Sequence, residues 1–150
     1  MDSLYQLSLY QGLIKNGSPF EIDRFEAERA RIINFFRNNG VYNFQQNSIQ
    51  FTAAIDSSGI DTRIPVVVEI KDLQKRENDS LINLPYKIHP VSKINLFVGN
   101  PGQLGQLSSY SDSLTYNDFT IYFKGKLKYK PKALEEVIFI NKGRPYSDLE

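Results

Sequence analysis

Residues 14–20 read Ile-Lys-Asn-Gly-Ser-Pro-Phe, and residues 140–146 read Ile-Asn-Lys-Gly-Arg-Pro-Tyr. Ile, Gly, Pro and an aromatic residue occupy matching places in these two segments, which we call heptad 1 and heptad 2. An apolar helical stretch precedes each, and a capping residue with Glu three positions later follows each, at Asp23 and at Ser147. The recurrence predicts a tandem array in which the chain begins inside one unit and ends inside the next. Since only two segments match, chance similarity is the alternative.

Length, composition and charge limit the classes of protein to which the chain can belong. A chain of 150 residues can bury one sizeable core or two small ones. The formal net charge is +1 with mixed signs throughout, so the chain shows neither a nucleic-acid footprint nor a polybasic membrane anchor. No apolar run reaches membrane-spanning length, and residues 1–3 are too polar to open a signal peptide. The absence of cysteine excludes disulfides and thiolate sites but leaves the compartment open.

Apolar residues at helical spacing predict two helices in the first part of the chain. The first covers residues 4–14, with Gly17 placed to end it, and the second covers residues 23–39, with a stop at residues 38–40. Glu28 falls mostly off the apolar stripe of the second helix, as do Arg24, Arg31 and Arg37. The residues predicted to be buried are Phe25, Ile32, Ile33 and Phe36.

The apolar period then changes to two. Residues 48–55 and 64–70 alternate apolar and polar side chains on either side of a turn at residues 56–59, which predicts an antiparallel hairpin. Polar, charged residues 73–85 predict a linker between a first unit, residues 1–72, and a second unit, residues 86–150. The predicted inward face of the first strand is Ile49, Phe51, Ala53 and Ile55.

The second unit also shows strand patterns. Residues 86–98 predict a strand that Pro90 interrupts. A loop rich in Gly, Ser and Gln follows at residues 99–113. Strands on either side of Lys124-Gly125-Lys126 predict a second hairpin, and Pro131 is placed to open a short helix.

These features together resemble a known family. A Gly-x-Pro-aromatic turn between two helices, a second helix ending in Gly40-Val41-Tyr42-Asn43-Phe44 and a following hairpin are similar to the polypeptide-transport-associated (POTRA) domain. The resemblance is to the BamA/TamA-like outer-membrane assembly and translocation proteins of the bacterial surface antigen family. It implies an α+β fold of tandem units, each with two helices on one face of a small mixed β-sheet. The unit at residues 1–72 would lack its first strand, and the next unit would carry an inserted hairpin at residues 116–129.

The resemblance also implies a function. The chain would be a periplasmic module of a parent protein that a β-barrel outside this chain anchors in the bacterial outer membrane. It would bind unfolded outer-membrane proteins or assembly-machinery subunits by β-strand addition, and an exposed sheet edge beside residues 64–70 would favour self-association. The predicted binding strand is Ser48, Ile49, Gln50, Phe51, Thr52, Ala53, Ala54 and Ile55. The alternatives are a structural spacer or docking arm, and a small α+β adhesion or ligand-binding module that uses the loop at residues 99–113.

The sequence predicts no enzyme, no metal site and no cofactor. His89 is the only histidine, and its setting before Pro90 favours a structural or solvent-exposed role. Glu135 and Glu136 are the best carboxylate pair, but adjacent helix positions point about 100° apart and cannot share a proton.

The triplet Asp-Ser-Leu occurs three times, at residues 2–4, 79–81 and 112–114. Helix capping and turn chemistry favour Asp and Ser together and are the first interpretation. The triplet is also similar to an O-glycosylation acceptor pattern of exported bacterial proteins, which would agree with a periplasmic location. The candidate acceptors are Ser3, Ser80 and Ser113.

Overall fold

The computed structural model describes residues 2–59, 62–99 and 110–149. It is a small α+β fold that divides into two compact units. Unit 1 comprises the chain up to His89 together with residues 146–149, and unit 2 comprises residues 90–145. The chain therefore leaves unit 1 after His89 and returns to it at Tyr146, whereas the sequence predicted a division within residues 73–85.

Two helices are followed by seven strands and a short third helix in the described part of the chain. In order they are α1 (Asp2–Ser8), α2 (Ile22–Asn38), β1 (Ile49–Ala53), β2 (Val66–Ile70), β3 (Leu73–Glu77), β4 (Ser80–Leu84), β5 (Ile94–Phe97), β6 (Asp112–Tyr116), β7 (Phe119–Phe123) and α3 (Pro131–Glu135), with 3-10 turns at Leu9–Gln11 and Gln46–Ser48.

The first helix is shorter than predicted. Helix α1 ends at Ser8, and a 3-10 turn continues it only to Gln11. Gly12 then adopts an extended conformation, with φ −56° and ψ 135°. Because glycine is a weak helix former, the helix stops there and not at Gly17, so the predicted extension to Ile14 is wrong.

Helix α2 has the predicted length and a different start. Its N-cap residue is Glu21, whose side chain pairs with Arg24 (2.6 Å) and makes no capping bond. The predicted capping box that begins at Asp23 is therefore wrong, and Asp23 lies in the first turn, where a negative charge favours the helix dipole. The predicted stop is confirmed, since Gly40 has φ 96° and the Val41 N–H donates to the carbonyl of Phe36 (3.0 Å).

Aromatic packing dominates the core of unit 1. The rings of Phe36 and Phe44 stack with centroids 4.5 Å apart, and Tyr86 lies 4.8 Å from Phe44. The hydroxyl of Tyr86 shares a hydrogen bond with the buried hydroxyl of Ser48 (2.6 Å). Tyr86 therefore completes this core, whereas the sequence predicted that it begins a second unit. The predicted burial of Ile32 and Phe36 is confirmed, whereas Phe25 and Ile33 are partly buried. The buried apolar residues are Ile32, Phe36, Val41, Phe44, Ile49 and Tyr86.

Glu28 is buried, which corrects its predicted position off the stripe. Its carboxylate accepts two bonds from the guanidinium of Arg31 (2.6 and 2.8 Å) and one from the Leu13 N–H (2.9 Å). Arg31 also donates to the carbonyl of Ser8 (3.1 Å). The hydrogen bond to Glu28 raises the pKa of Arg31, and burial, then the Glu28 charge, raises the pKa of Tyr5. The pair ties the segment after α1 to α2.

Strands β1 and β2 form the predicted antiparallel hairpin, with Ile49 opposite Ile70 and Ala53 opposite Val66. The edge of the Phe51 ring packs on Phe25 of α2 (centroids 5.4 Å), which holds the hairpin against the helix. The predicted limits of the strands are too wide. Ser48 belongs to the preceding 3-10 turn, Ala54 and Ile55 lie beyond β1, and β2 begins at Val66. Ile55 has 70% of its surface exposed.

Residues 73–85, expected to be a linker, contain the hairpin of β3 and β4. Its two-residue turn is Asn78-Asp79, both with positive φ (47° and 63°), as a type I′ turn requires. Most side chains of both strands are exposed. A strand without a buried face has no alternating apolar pattern, so periodicity alone indicated a loop.

Unit 2 contains a three-stranded mixed sheet of order β5-β7-β6, with β5 parallel and β6 antiparallel to β7. The predicted hairpin around Lys124-Gly125-Lys126 is wrong, because β7 pairs with the strand before it through the turn at Asn117, whose φ is 48°. Phe119 and Ile121 fill the centre of the sheet.

The remaining predictions for the second half of the chain concern the strand over residues 86–98, the helix after Pro131 and the loop at residues 99–113. The strand predicted over residues 86–98 is confined to β5, and Pro131 opens α3 as predicted. The loop predicted at residues 99–113 lies mostly outside the described residues, and its end belongs to β6.

The two heptads share one backbone turn. Gly17 and Gly143 have nearly equal positive φ values, 79° and 82°. The Ser18 N–H donates to the carbonyl of Lys15 (3.1 Å), and the Arg144 N–H donates to the carbonyl of Asn141 (3.4 Å). The sequence similarity therefore corresponds to a shared local conformation.

Replacement of Glu28 by alanine should lower the free energy of unfolding by about 3 kcal/mol, because Arg31 would stay largely buried without its counter-ion. Urea unfolding followed by circular dichroism measures this loss. Glu26→Ala is the matched control, since Glu26 pairs with Arg29 from an exposed position and should contribute about 0.5 kcal/mol or less. Equal losses for the two variants would contradict the role assigned to Glu28.

The hydrogen bonds of the Asp112 carboxylate in β6 should make the stability of the folded state depend on pH, with a sign that follows from its lowered pKa. Hydrogen bonds from the Ser111 hydroxyl (2.6 Å) and then the Gly125 N–H (2.9 Å) lower its pKa. Their stabilisation is complete above the ordinary carboxyl pKa and is lost as the pH falls through the lower pKa of the folded state. In an NMR titration of this carboxyl, Ser111→Ala should raise the pKa, whereas Ser113→Ala should leave it unchanged. An unaltered pKa in Ser111→Ala would refute this assignment.

Candidate functional site

The outer edge of β1 is the surface that the sequence singled out. The Lys71 N–H donates to the carbonyl of Ser48 (2.8 Å), and the Ala54 N–H donates to the carbonyl of Pro65 (3.0 Å). These two bonds show that even-numbered residues of β1 direct their backbone groups toward β2. The backbone groups of Ile49, Phe51 and Ala53 therefore point to the opposite side.

Much of that outer edge is unoccupied in the described part of the chain. The Ile49 N–H donates to the carbonyl of Gln46. The N–H and C=O groups of Phe51 and Ala53 make no hydrogen bond with any described residue, and β1 pairs there with β2 alone. Their side chains face the helix, so the backbone is held in place while its polar groups stay available.

Arg29 lies beside this edge. Its guanidinium carbon is 5.3 Å from the centroid of the Phe51 ring, and one terminal nitrogen pairs with Glu26 (2.6 Å). The Nε atom of Arg29 is buried and has no hydrogen-bond partner among the described residues. Arg29, Ile49 and residues 45–47 line a cleft of about 550 Å³ there.

The predicted binding residues separate into three groups. Ser48 lies before the strand and is buried in its bond with Tyr86, whereas Ala54 and Ile55 are exposed beyond the strand. Gln50 and Thr52 face solvent, and the Gln50 amide oxygen accepts a hydrogen bond from the Lys71 ammonium. Among the described residues, the open edge is thus concentrated on the backbone groups of Phe51 and Ala53 and on the carbonyl of Ile49.

The opposite edge of the hairpin is also open in the described residues. Because Val67 and Glu69 direct their backbone groups toward β1, those of Val66, Val68 and Ile70 point away from it. They have no hydrogen-bond partner in that part of the chain.

Sequence reasoning missed Arg29 and the docking of residues 146–149. Position 29 lies one helical turn after Phe25 on the buried face, which was a usable signal. Asn38, at the end of α2, accepts the Asp148 N–H (3.0 Å) through its side-chain oxygen. The Tyr146 hydroxyl donates to Asp148 (2.7 Å), and this bond raises the pKa of Tyr146.

The groups considered for catalysis have structural partners. The half-buried His89 ring meets Tyr42 edge to face (centroids 4.9 Å), and its backbone N–H donates to the carbonyl of Gly40 (2.8 Å). Glu135 accepts a bond from the amide of Asn117 (2.7 Å). Within residues 2–59, 62–99 and 110–149 there is no group of three or more His, Asp or Glu side chains arranged to hold a metal ion.

The three serines of the Asp-Ser-Leu triplets are exposed, in α1, at the start of β4 and in β6. Glycosylation requires an exposed serine, but serines at helix caps and turns are exposed as well. Both interpretations of the triplets therefore stand for Ser3, Ser80 and Ser113.

Comparison of the chain with protein-family models, with curated proteins and with solved structures finds no match in any of the three. No helix among the described residues combines the length and apolar character needed to cross a membrane. The chemistry of the open strand edges is therefore the basis for a functional proposal.

Proposed function

We propose that this chain is a protein-binding module that engages extended segments of other chains by strand addition at the outer edge of β1. The observation that carries the proposal is that the backbone groups of Phe51 and Ala53 pair with no described residue. Strand β2 and helix α2 hold these groups in an extended conformation, so an incoming strand meets a preformed template.

The chemistry of the edge suits weak, sequence-tolerant binding. Each backbone hydrogen bond contributes about 1 kcal/mol net. The cost of ordering an extended partner offsets part of this gain, so we expect dissociation constants on the order of micromolar to millimolar. Backbone recognition accepts many sequences, as a receptor for unfolded clients requires.

The order of elements supports the proposed biological setting. The first four elements of unit 1, two helices and then the hairpin of β1 and β2, follow the order of a POTRA domain after its first strand, and unit 1 adds the hairpin of β3 and β4. We therefore propose tandem POTRA-like units in a periplasmic arm of an outer-membrane assembly or translocation protein. Its partners would be unfolded outer-membrane proteins or other subunits of the machinery, and the parent protein would be anchored by a β-barrel.

A second candidate function is a docking arm that holds a permanent partner. The edge formed by Val66, Val68 and Ile70 favours it, because these groups too are unpaired in the described chain and would be covered in an assembly. A docking arm would form one long-lived complex, whereas a client receptor would exchange many peptides rapidly.

Proline at position 53 should abolish client binding while the hairpin stays folded. Ala53→Pro removes an outward N–H and no β1–β2 hydrogen bond, and proline is tolerated at such edge positions. In an NMR titration with an unfolded outer-membrane strand peptide, the parent chain should show amide shifts over residues 49–53. The variant should bind about 10-fold more weakly or not at all.

Ala53→Ser is the matched control, since it keeps the N–H and should retain the affinity. The dispersed amide spectrum of Ala53→Pro checks that the chain is still folded. Saturating peptide without shifts at residues 49–53 would refute binding at this edge and favour the docking arm. Equal affinity of the proline variant would refute backbone pairing there.

A further inference from the structure

Heptad 2 holds an extended segment through its backbone. Within unit 2, the Gly143 N–H donates to the carbonyl of Val91 (2.8 Å), and the Val91 N–H donates to the carbonyl of Arg144 (2.8 Å). Pro90 and Pro145 form an antiparallel bridge next to these bonds. Two consecutive residues of the heptad thus capture both backbone groups of one residue in an extended segment.

Heptad 1 has the same turn with the corresponding groups unoccupied. Gly17 matches Gly143 in sequence and in φ, and Ser18 matches Arg144 in the hydrogen bond that closes the turn. In the described part of the chain, the N–H of Gly17 and the C=O of Ser18 have no hydrogen-bond partner. Heptad 1 therefore presents the donor and acceptor that heptad 2 already uses.

A cleft of about 850 Å³ lies beside heptad 1, entirely within unit 1. Its other walls are the first turn of α2 and residues 62–66, and no described residue of β1 lines it. The rings of Phe20 and Phe25 pack together (centroids 4.8 Å) on one side, and Ile64 lines another. This volume accommodates several residues of an extended peptide.

The charge that the cleft offers to an occupant is that of Lys15. The cleft is also lined by Arg24 and Arg63, which have interaction partners of their own, and none of its described lining residues is a carboxylate. Arg24 pairs with Glu21 at the surface (2.6 Å), and Lys15 is exposed. Complementarity therefore favours an occupant that carries negative charge beside its apolar residues.

We infer that heptad 1 and this cleft bind an extended, apolar and acidic peptide segment of a partner protein. The Gly17 N–H donates to a peptide carbonyl, and the Ser18 carbonyl accepts the N–H of the same peptide residue, as heptad 2 does with Val91. An apolar side chain packs on Phe20, and a flanking carboxylate lies next to Lys15. This site is separate from the outer edge of β1 and goes beyond the function proposed for it.

The probe is a synthetic peptide that copies residues 88–92 of this chain between two glutamates, Glu-Ile-His-Pro-Val-Ser-Glu, with blocked ends. Titrated into the isotope-labelled 150-residue chain, it should shift the amides of heptad 1 and of residues 62–66. N-methylation of the peptide valine removes the donor to the Ser18 carbonyl and should weaken binding about 10-fold.

The charge of the occupant is tested in a separate series. Lys15→Glu should weaken binding of the acidic peptide about 3- to 10-fold. The matched control is Lys124→Glu, which makes the same charge change at an exposed position of unit 2 and should leave the affinity unchanged. Replacement of both peptide glutamates by lysine should weaken binding to the parent chain by a similar factor.

Two results would overturn the inference. One is the absence of shifts in heptad 1 at millimolar peptide, and the other is equal binding of the N-methylated peptide. Ala53→Pro should bind this probe normally, because position 53 does not line the cleft. The failure of either proposal is therefore distinguishable from the failure of the other.

Discussion

The buried carboxylate of Glu28 is the constraint on which the rest of unit 1 depends. A charge that has left water is tolerated only when hydrogen bonds and a counter-ion replace its solvation, and Arg31 and the Leu13 N–H supply them. These contacts hold the chain after α1 against α2 at the point where heptad 1 begins. The turn of heptad 1, the cleft beside it and the face of α2 that supports β1 are thus positioned by one polar cluster at the edge of a largely apolar core.

The same helix face positions both candidate surfaces. Phe25 contacts Phe20 on one side and Phe51 on the other, so one ring connects the wall of the cleft to the centre of β1. Arg29, one turn further on, lies beside the outer edge of that strand. The two surfaces share their support but use different backbone groups. Occupation of one therefore leaves the hydrogen-bonding groups of the other unchanged.

Elements with one buried face could be predicted from the sequence. Helix α2 and the hairpin of β1 and β2 bury a regular stripe, and their periods of 3.6 and 2 are visible without a structure. Strands β3 and β4 could not be found in this way, because neither buries a face and a type I′ turn alone connects them. The position of β1 at a sheet edge was predicted, although its limits were not, since the burial of Ser48 depends on Tyr86, which is distant in sequence.

Residues 146–149 impose an order on the assembly of unit 1. Asn38 at the end of α2 receives the backbone N–H of Asp148 across 110 positions of sequence. Closing so long a loop is entropically costly and slow compared with the helix and hairpin contacts made earlier. During synthesis on the ribosome, α2 and the β1–β2 hairpin can therefore pack while the end of α2 still awaits its distant partner. A nascent chain halted within unit 2 would display that helix end to chaperones, and its completion would hide it.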